Sequence, residues 1–175
     1  MAFKRVGDIM IPLDEYPHLP HWFTLRQALA DIEGAQYEVD AGQVASPRSA
    51  LIFDEAYRLL GQIRRRDILR GLGPRHLSGG KLHVKYQDLS MRPDPDLWQL
   101  SYDETVETLR EHSEQKVSEL MQPIVITLEF DDPLMKAVSA FVEHDLALIP
   151  VLRDGKVAGV VNTVCVCHEL AKLIL

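Results

Sequence analysis

The residues best suited to binding chemistry are three arginines and an aspartate in succession, Arg64-Arg65-Arg66-Asp67. They begin a short predicted helix that ends near Gly73. Guanidinium groups and the free amides of a helix N-terminus both donate hydrogen bonds to anions, so this segment could hold a phosphate. The alternative is a solvated charged edge, or ion pairs with some of the chain's 26 acidic residues. We favour that alternative for Arg65 and leave both open for Arg64.

Pairs of histidine and cysteine are weaker candidates for chemistry. His18 and His21 have an H-x-x-H spacing, but no carboxylate or thiol in register completes a metal site. Cys165 and Cys167 are too close in sequence for an unstrained disulfide, and we interpret them as reduced thiols that pack in the core or an interface. The sequence has no nucleophile elbow, HExxH, Walker loop or dinucleotide fingerprint. We therefore expect neither a metal site nor an enzyme.

Composition argues against several other functions. The chain has 175 residues, 26% of them charged, and a formal net charge of −7. An acidic chain is poorly suited to nucleic acid, whose phosphates are held chiefly by surplus lysine and arginine. No apolar run is long enough to span a membrane, and the first residues lack the apolar region of a signal peptide. We expect a cytoplasmic protein with no nucleic-acid or membrane partner.

The elements that must position the arginine segment occur twice along the chain. The segment Val6–Pro12 shares its Val, Met and Pro with Val117–Pro123, at a constant offset of 111 residues. A helix with an apolar face follows each copy, and a hairpin follows each helix. In the second hairpin the turn contains Asp154-Gly155, a pair that tolerates positive φ. Each half therefore reads as extended segment, helix, hairpin and helix.

The repeat divides the chain into a first motif at 1–72, a linker with one helix at 73–116, and a second motif at 117–175. The first motif is longer because of a polar stretch at 33–48, which we interpret as a surface excursion with a short strand at 36–39. Gly159, inside the last strand, predicts a bulge or a close approach by another backbone or a ligand. Pro150 lacks an amide donor and suits a strand's beginning or an edge.

The C-terminal helix begins near Thr163 and has an apolar side. The helix also carries leucines at 170, 173 and 175, which are apolar residues beyond those needed to pack on its own sheet. Because burying them would favour contact with a partner surface, we expect a homodimer. The residues on the apolar side are Val164, Cys167, Ala171 and Ile174.

This order of motifs resembles a tandem pair of CBS domains, also called a Bateman module, in a stand-alone CBS-domain protein. The resemblance rests on the two Met-x-Pro segments, the hairpin 149–159 and the segment Gly61–Asp67. It implies an α/β (α+β) fold in which two β-α-β-β-α motifs pack about a pseudo-twofold axis. It also implies dimerisation into a disc, and clefts between the motifs for AMP, ADP, ATP or S-adenosylmethionine.

The family's ligand signature is Gly, two apolar residues, Thr or Ser, two variable residues, and Asp. The first copy keeps the aspartate as Asp67, but Arg64 replaces the hydroxyl; the second copy has Asn162 and then Cys165 in place of the carboxylate. The resemblance implies that Asp67 accepts from ribose hydroxyls, although a helix N-cap would equally explain an aspartate there. The residues expected to bind ligand are Ile11, Pro12, Gly61, Arg64, Arg66, Asp67, Pro150, Gly159 and Asn162.

Two functions remain open from the sequence. The first is a regulatory module that binds an adenosine nucleotide or related anion between its motifs and acts on a separate effector protein. The second is a structural dimerisation or interaction module whose ligand sites are vestigial. Asp67 and the arginines favour sensing, whereas Cys165 and the missing hydroxyl at Arg64 favour the vestigial interpretation. No cofactor is certain.

Overall fold

The computed structural model describes residues 4–40, 42–73 and 101–175. The rest of the predicted linker, and Trp98 within it, lies outside the described residues. Two short 3-10 turns span Leu13–Glu15 and Val117–Glu119. The helices are α1 (Val6–Ile9), α2 (Leu25–Gly34), α3 (Arg65–Leu72), α4 (Tyr102–His112), α5 (Leu134–His144) and α6 (Thr163–Ile174). The strands are β1 (Ile11–Pro12), β2 (His18–Pro20), β3 (Tyr37–Asp40), β4 (Gln43–Ala45), β5 (Ser49–Phe53), β6 (Leu59–Arg64), β7 (Leu128–Glu129), β8 (Leu148–Arg153) and β9 (Lys156–Asn162).

Each repeat has the predicted β-α-β-β-α order. The first repeat runs from β2 to α3, and the second from β7 to α6. Within them, β5 pairs antiparallel with β6 and parallel with β2, while β8 pairs antiparallel with β9 and parallel with β7. The parallel pairs are possible because α2 and α5 serve as crossover helices. The predicted α/β class is confirmed.

The two Met-x-Pro segments join the repeats to each other. β1 precedes the first repeat but pairs with β9, so that Ile11 lies opposite Val160 and Pro12 opposite Gly159. Gln122 precedes the second repeat but pairs with Gln62 of β6, and the two residues exchange backbone hydrogen bonds of 2.9 and 2.7 Å. Each segment thus pairs with the returning strand of the other repeat, β1 as a strand and Gln122 as a single bridge, so the two repeats exchange equivalent segments.

The hydrophobic cores follow the same exchange. Val6 lies before the first repeat yet packs in the core around the second repeat's sheet, and its N–H donates to the Asp132 carbonyl at 2.8 Å. Val117 packs in the core around the first repeat's sheet, and its N–H donates to Phe23 at 2.8 Å. The constant offset between these two valines therefore reflects equivalent positions in the fold.

Gly61 and Gly159 lie where the exchanged segments cross the returning strands. A Cβ on Gly61 would be 2.5 Å from the Gln122 carbonyl oxygen, and a Cβ on Gly159 would come closer still to that of Ile11. The close backbone approach predicted at Gly159 is confirmed. The second hairpin also turns as predicted, with φ of +53° at Asp154 and +74° at Gly155.

Pro150 is the third residue of β8, near the strand's beginning as expected, although β8 lies between β9 and β7 and is not an edge strand. Among the described strands, β7 reaches only Val151 and Leu152, so β8 is unpaired on that side at Pro150 and tolerates proline there.

In α6, the side that carries Val164 and Ile174 faces outward. Val164 and Ile174 are 46% and 78% exposed, whereas Cys165, Val166 and Glu169 face the core. None of the described helices is both long and apolar enough to cross a bilayer.

Candidate functional site

The first signature site, Gly61–Asp67, lies where β6 passes into α3. Arg64 is the residue before the helix and Asp67 is its third residue. Asp67 is completely buried. Its Oδ2 accepts from the Arg64 N–H at 3.0 Å and from Arg64 Nε at 2.8 Å, and its Oδ1 accepts from Arg64 Nη2 at 2.9 Å. This two-pronged pair holds the guanidinium over the start of the helix.

Two further groups complete the surroundings of the Asp67 carboxylate. Gln122 Nε2 donates to Oδ1 at 3.2 Å, and Arg70 Nη1 lies 3.4 Å from the same oxygen. Asp67 caps α3 from its third position and not as the N-cap residue, because it accepts the N–H of Arg64. With this set of donors, the carboxylate accepts no ribose hydroxyl unless one of them leaves. The hydrogen bond that Arg64 donates to Asp67 also raises the pKa of Arg64.

The three consecutive arginines have different surroundings. Arg65 pairs with Glu33 at 3.1 Å, as the ion-pair interpretation predicted, and its N–H donates to the Arg48 carbonyl at 3.0 Å. The Arg64 side chain is 45% exposed. Arg66 is exposed and has no ion-pair partner among the residues described. The site therefore presents the outer edge of Arg64, with Arg66 nearby in sequence, to an anion.

The second signature site, Gly159–Cys165, lies where β9 passes into α6. Asn162 is the N-cap of α6: its Oδ1 accepts from the Cys165 N–H at 2.9 Å. Its Nδ2 donates to the Tyr37 hydroxyl at 2.7 Å. Cys165 is buried, and burial raises the pKa of its thiol. Asn162 thus uses both ends of its amide within the chain.

Tyr37 belongs to the polar excursion, which is not a purely surface feature as we had expected. β3 and β4 form a hairpin that brings Tyr37 into the core, with its ring centroid 6.0 Å from that of Tyr16. The Tyr16 hydroxyl is 3.0 Å from Ser49 Oγ. Burial raises the pKa of Tyr37, and that of Tyr16 to about 12. The second signature site is therefore lined by two buried, neutral phenols.

The structure divides the predicted ligand residues into two groups. Gly61, Arg64 and Asp67 meet at the first site, and Gly61 does so through its contact with the Gln122 backbone. At the second repeat, Ile11, Pro12, Pro150, Gly159 and Asn162 lie along β1, β8 and β9, where β9 is the middle strand of the three.

Sequence reasoning missed Gln122, Arg70 and Tyr37. The offset of 111 residues could have pointed to Gln122, because it occupies the position of Ile11 in the second copy. Arg70 is three residues after Asp67 on the same helix face, a usual ion-pair spacing. Tyr37 carries a weaker signal, an aromatic residue two positions before Val39 in a polar stretch.

The histidines of the H-x-x-H pair have separate partners. His18 Nδ1 bonds the Tyr16 carbonyl at 2.9 Å, and His21 Nε2 bonds Glu55 at 2.9 Å. Within the described residues, no group of three or more histidine, cysteine or acidic side chains is placed to hold a metal ion.

Two exchanged β-α-β-β-α repeats, each with a strand-to-helix signature site, define the class of a CBS-domain pair. Residues 117–171 match the family model of the CBS domain. Residues 117–171 are therefore a CBS domain, and the fold of the described chain is that of a CBS-domain pair. A search of curated protein sequences gave no match.

Solved structures of CBS-domain proteins are similar over nearly the whole chain. CBSX2 from Arabidopsis thaliana is 16% identical with a TM-score of 0.63, and the match covers 99% of this chain and 98% of that one. CBSX2 in complex with AMP is 16% identical with a TM-score of 0.60, covering 98% of both chains. The cytosolic domain of the Mg²⁺ channel MgtE in complex with ATP is 17% identical with a TM-score of 0.57, covering 98% of this chain and 50% of that one. At these identities the likeness establishes the fold.

Proposed function

We propose that this chain is a regulatory module, not an enzyme, that binds an adenosine nucleotide or related anion at the first signature site. The observation that carries the proposal is the position of Arg64. Its guanidinium is partly exposed, and it is held at the start of α3 by a completely buried carboxylate. A guanidinium that is open to solvent on one side and lies at a helix N-terminus is placed to meet a phosphate.

The adenosine class is supported by the solved neighbours, since CBSX2 was crystallised with AMP and MgtE with ATP. An anionic ligand would compete with Asp67 for the Arg64 side chain. When Arg64 turns toward the phosphate, Asp67 loses two side-chain donors and becomes able to accept ribose hydroxyls. Gln122 and Arg70 remain to stabilise the carboxylate.

This exchange would also carry a signal. Gln122 enters from the second repeat and Asp67 belongs to the first, so their hydrogen bond crosses between repeats. A ligand that changes the partners of Asp67 would change this contact and, through it, the relative position of the repeats. We propose that a separate effector protein reads that change.

Titration calorimetry with adenosine, AMP and ATP tests the proposal. A charge-assisted hydrogen bond contributes about 1.5–3 kcal/mol, so Arg64→Ala should weaken ATP binding roughly ten- to hundredfold and adenosine binding much less. The difference should shrink as salt rises, because the pair is partly exposed. Arg58→Ala is the control, since it removes the same charge from an exposed turn where Arg58 pairs with Asp54.

The result that opposes the proposal is a wild-type chain that binds none of the three ligands at millimolar concentration. A structural dimerisation or interaction module would then be the better account. One observation favours that second function: the carboxylate of Asp67 and the amide of Asn162 are satisfied within the chain at both signature sites. The exposed apolar side of α6 would supply the surface for a second copy.

A further inference from the structure

The β3–β4 hairpin has no counterpart in the second repeat. There, residues 145–147 are enough to connect α5 with β8, whereas the hairpin is inserted between α2 and β5. Among the described strands, β3 and β4 pair only with each other, and β3 lies against β1 and α6. The insertion therefore contributes nothing to the sheet of its own repeat, and it is directed at the second signature site.

The hairpin is attached to α6 at an inner and an outer point. At the inner point, the buried Tyr37 hydroxyl bonds Asn162 Nδ2 at 2.7 Å. At the outer point, Asp40 Oδ2 lies 2.9 Å from both His168 Nε2 and Lys172 Nζ. Val39 and Ala45 pack on the core between these points. Polar and apolar contacts thus hold the hairpin along α6, from its N-cap Asn162 to Lys172 in its last turn.

We propose that the hairpin is a tethered occupant of the second signature site and closes that site to adenosine ligands. Tyr37 supplies a planar aromatic ring and a hydroxyl, and that hydroxyl bonds the residue at the Thr or Ser position of the signature. The ring lies beside Tyr16, within the core formed by both repeats. The ligand class rests on the proposed function, but the closure itself does not. It leaves the first signature site as the one open position of the pair.

Cys165 is a built-in reporter of this closure. The chain has two cysteines, so Cys167→Ser leaves Cys165 as the sole thiol. A thiol that is buried and has a raised pKa reacts slowly, and iodoacetamide should label Cys165 slowly while the hairpin is in place. In the Cys167→Ser background, Tyr37→Ala should speed labelling about tenfold or more. Asp40→Asn, which weakens the outer contact, should speed it by a smaller factor.

Two controls separate opening of the site from unfolding. Tyr102→Ala removes a tyrosine that is exposed on α4 and should leave the labelling rate unchanged. A chain with Ala137→Cys, Cys165→Ser and Cys167→Ser carries its thiol in the buried face of α5. If Tyr37→Ala speeds labelling there as much as at Cys165, the whole core has loosened and the proposal is overturned. Equal Cys165 labelling with and without Tyr37→Ala also overturns it.

AMP tests the ligand class. In Cys167→Ser with Tyr37→Ala, millimolar AMP should slow Cys165 labelling in a saturable way. With Tyr37 in place, AMP should have no effect. Absence of protection in the opened variant overturns the assignment of adenosine ligands to this site, and equal protection with the hairpin in place overturns the closure. Neither result bears on the first signature site, which the Arg64 titrations test separately.

Discussion

A single methyl group added at Gly61 should push the segment around Gln122 away from β6 and destabilise the contact between the two repeats. In β6, an alanine Cβ at this position would lie 2.5 Å from the Gln122 carbonyl oxygen and 3.3 Å from the Met121 sulfur. The thioether can rotate away, but the carbonyl belongs to the main chain. It accepts from the Gln62 N–H at 2.9 Å, and the Gln122 N–H donates back to Gln62 at 2.7 Å. The exchanged segment must therefore move outward as a whole.

The magnitude follows from two contributions. Overpacking of a close contact costs about 1–3 kcal/mol. Outward movement also weakens the two backbone hydrogen bonds, each of which contributes about 0.5–1.5 kcal/mol. The strand preference of alanine over glycine offsets less than about 1 kcal/mol. We expect Gly61→Ala to lower the free energy of unfolding by about 2–4 kcal/mol, and the melting temperature by about 5–15 °C for a chain of this size.

Thermal unfolding followed by circular dichroism measures this effect. Gly34→Ala is the control: it lies at the last residue of α2 and no atom of the described chain is within 4 Å of its added Cβ. Its melting temperature should equal or slightly exceed that of the wild type. Gly159→Val, which meets the Ile11 carbonyl, should destabilise at least as much as Gly61→Ala. A Gly61→Ala chain that melts with the wild type would refute the reasoning.

Two further predictions concern assembly and alkaline pH. The exposed apolar side of α6 should form a homodimer, so light scattering at micromolar concentration should give twice the chain mass; a monomer mass would contradict this. Burial raises the pKa of Tyr16 to about 12, above its unfolded value near 10, so its contribution is complete below pH 10 and is lost as pH rises toward 12. Tyr16 should account for a loss of about 2–3 kcal/mol in urea unfolding across that range. Tyr16→Phe should remove this part and leave the part due to Tyr37, whose pKa is also raised. An unchanged loss in Tyr16→Phe would contradict the assignment.

The fold was predictable because short sequence motifs mark the positions where the backbone turns or where two backbones approach closely. Repeated Met-x-Pro segments and glycines in the returning strands mark positions where backbones must approach closely, and Asp154-Gly155 marks a turn with positive φ. The orientation of α6 was not predictable in the same way. Cys165 and Val166 lie next to Val164 and Cys167, so apolar residues occur on both sides of the helix and the period alone cannot say which side is buried.

The first signature site was predicted in part, and the second only in outline. The pairing of Arg64 with Asp67 spans three residues and follows from helix geometry. The contacts of Gln122 with Asp67 and of Tyr37 with Asn162 span 55 and 125 residues. Such contacts depend on how the repeats and the insertion pack, which no local pattern of a single sequence encodes. The sequence of the polar insertion does not indicate whether the ring of its one aromatic residue, Tyr37, points into the core or into solvent.

The two signature sites are equivalent in backbone but not in what a ligand must displace. At the first site, the N–H of Arg65 donates to the carbonyl of Arg48, the residue before β5, at 3.0 Å. At the second site, the N–H of Thr163 donates to the carbonyl of Ala147, the residue before β8, at 3.3 Å. At the first site a ligand competes with Asp67 for the partly exposed Arg64. Asp67 can release this arginine because Gln122 and Arg70 still interact with its carboxylate.

At the second site a ligand must displace a buried tyrosine together with its hairpin, and a carboxylate in place of the buried Cys165 would lose its hydration. The presence of Tyr37 is therefore consistent with a cysteine at position 165, because the site closed by the hairpin can bury a neutral side chain but not an unpaired carboxylate. Because a charge beneath the hairpin would oppose closure, we attribute the departure from the signature at Cys165 to the insertion. We expect sensing by this pair to be confined to the repeat that retains Asp67.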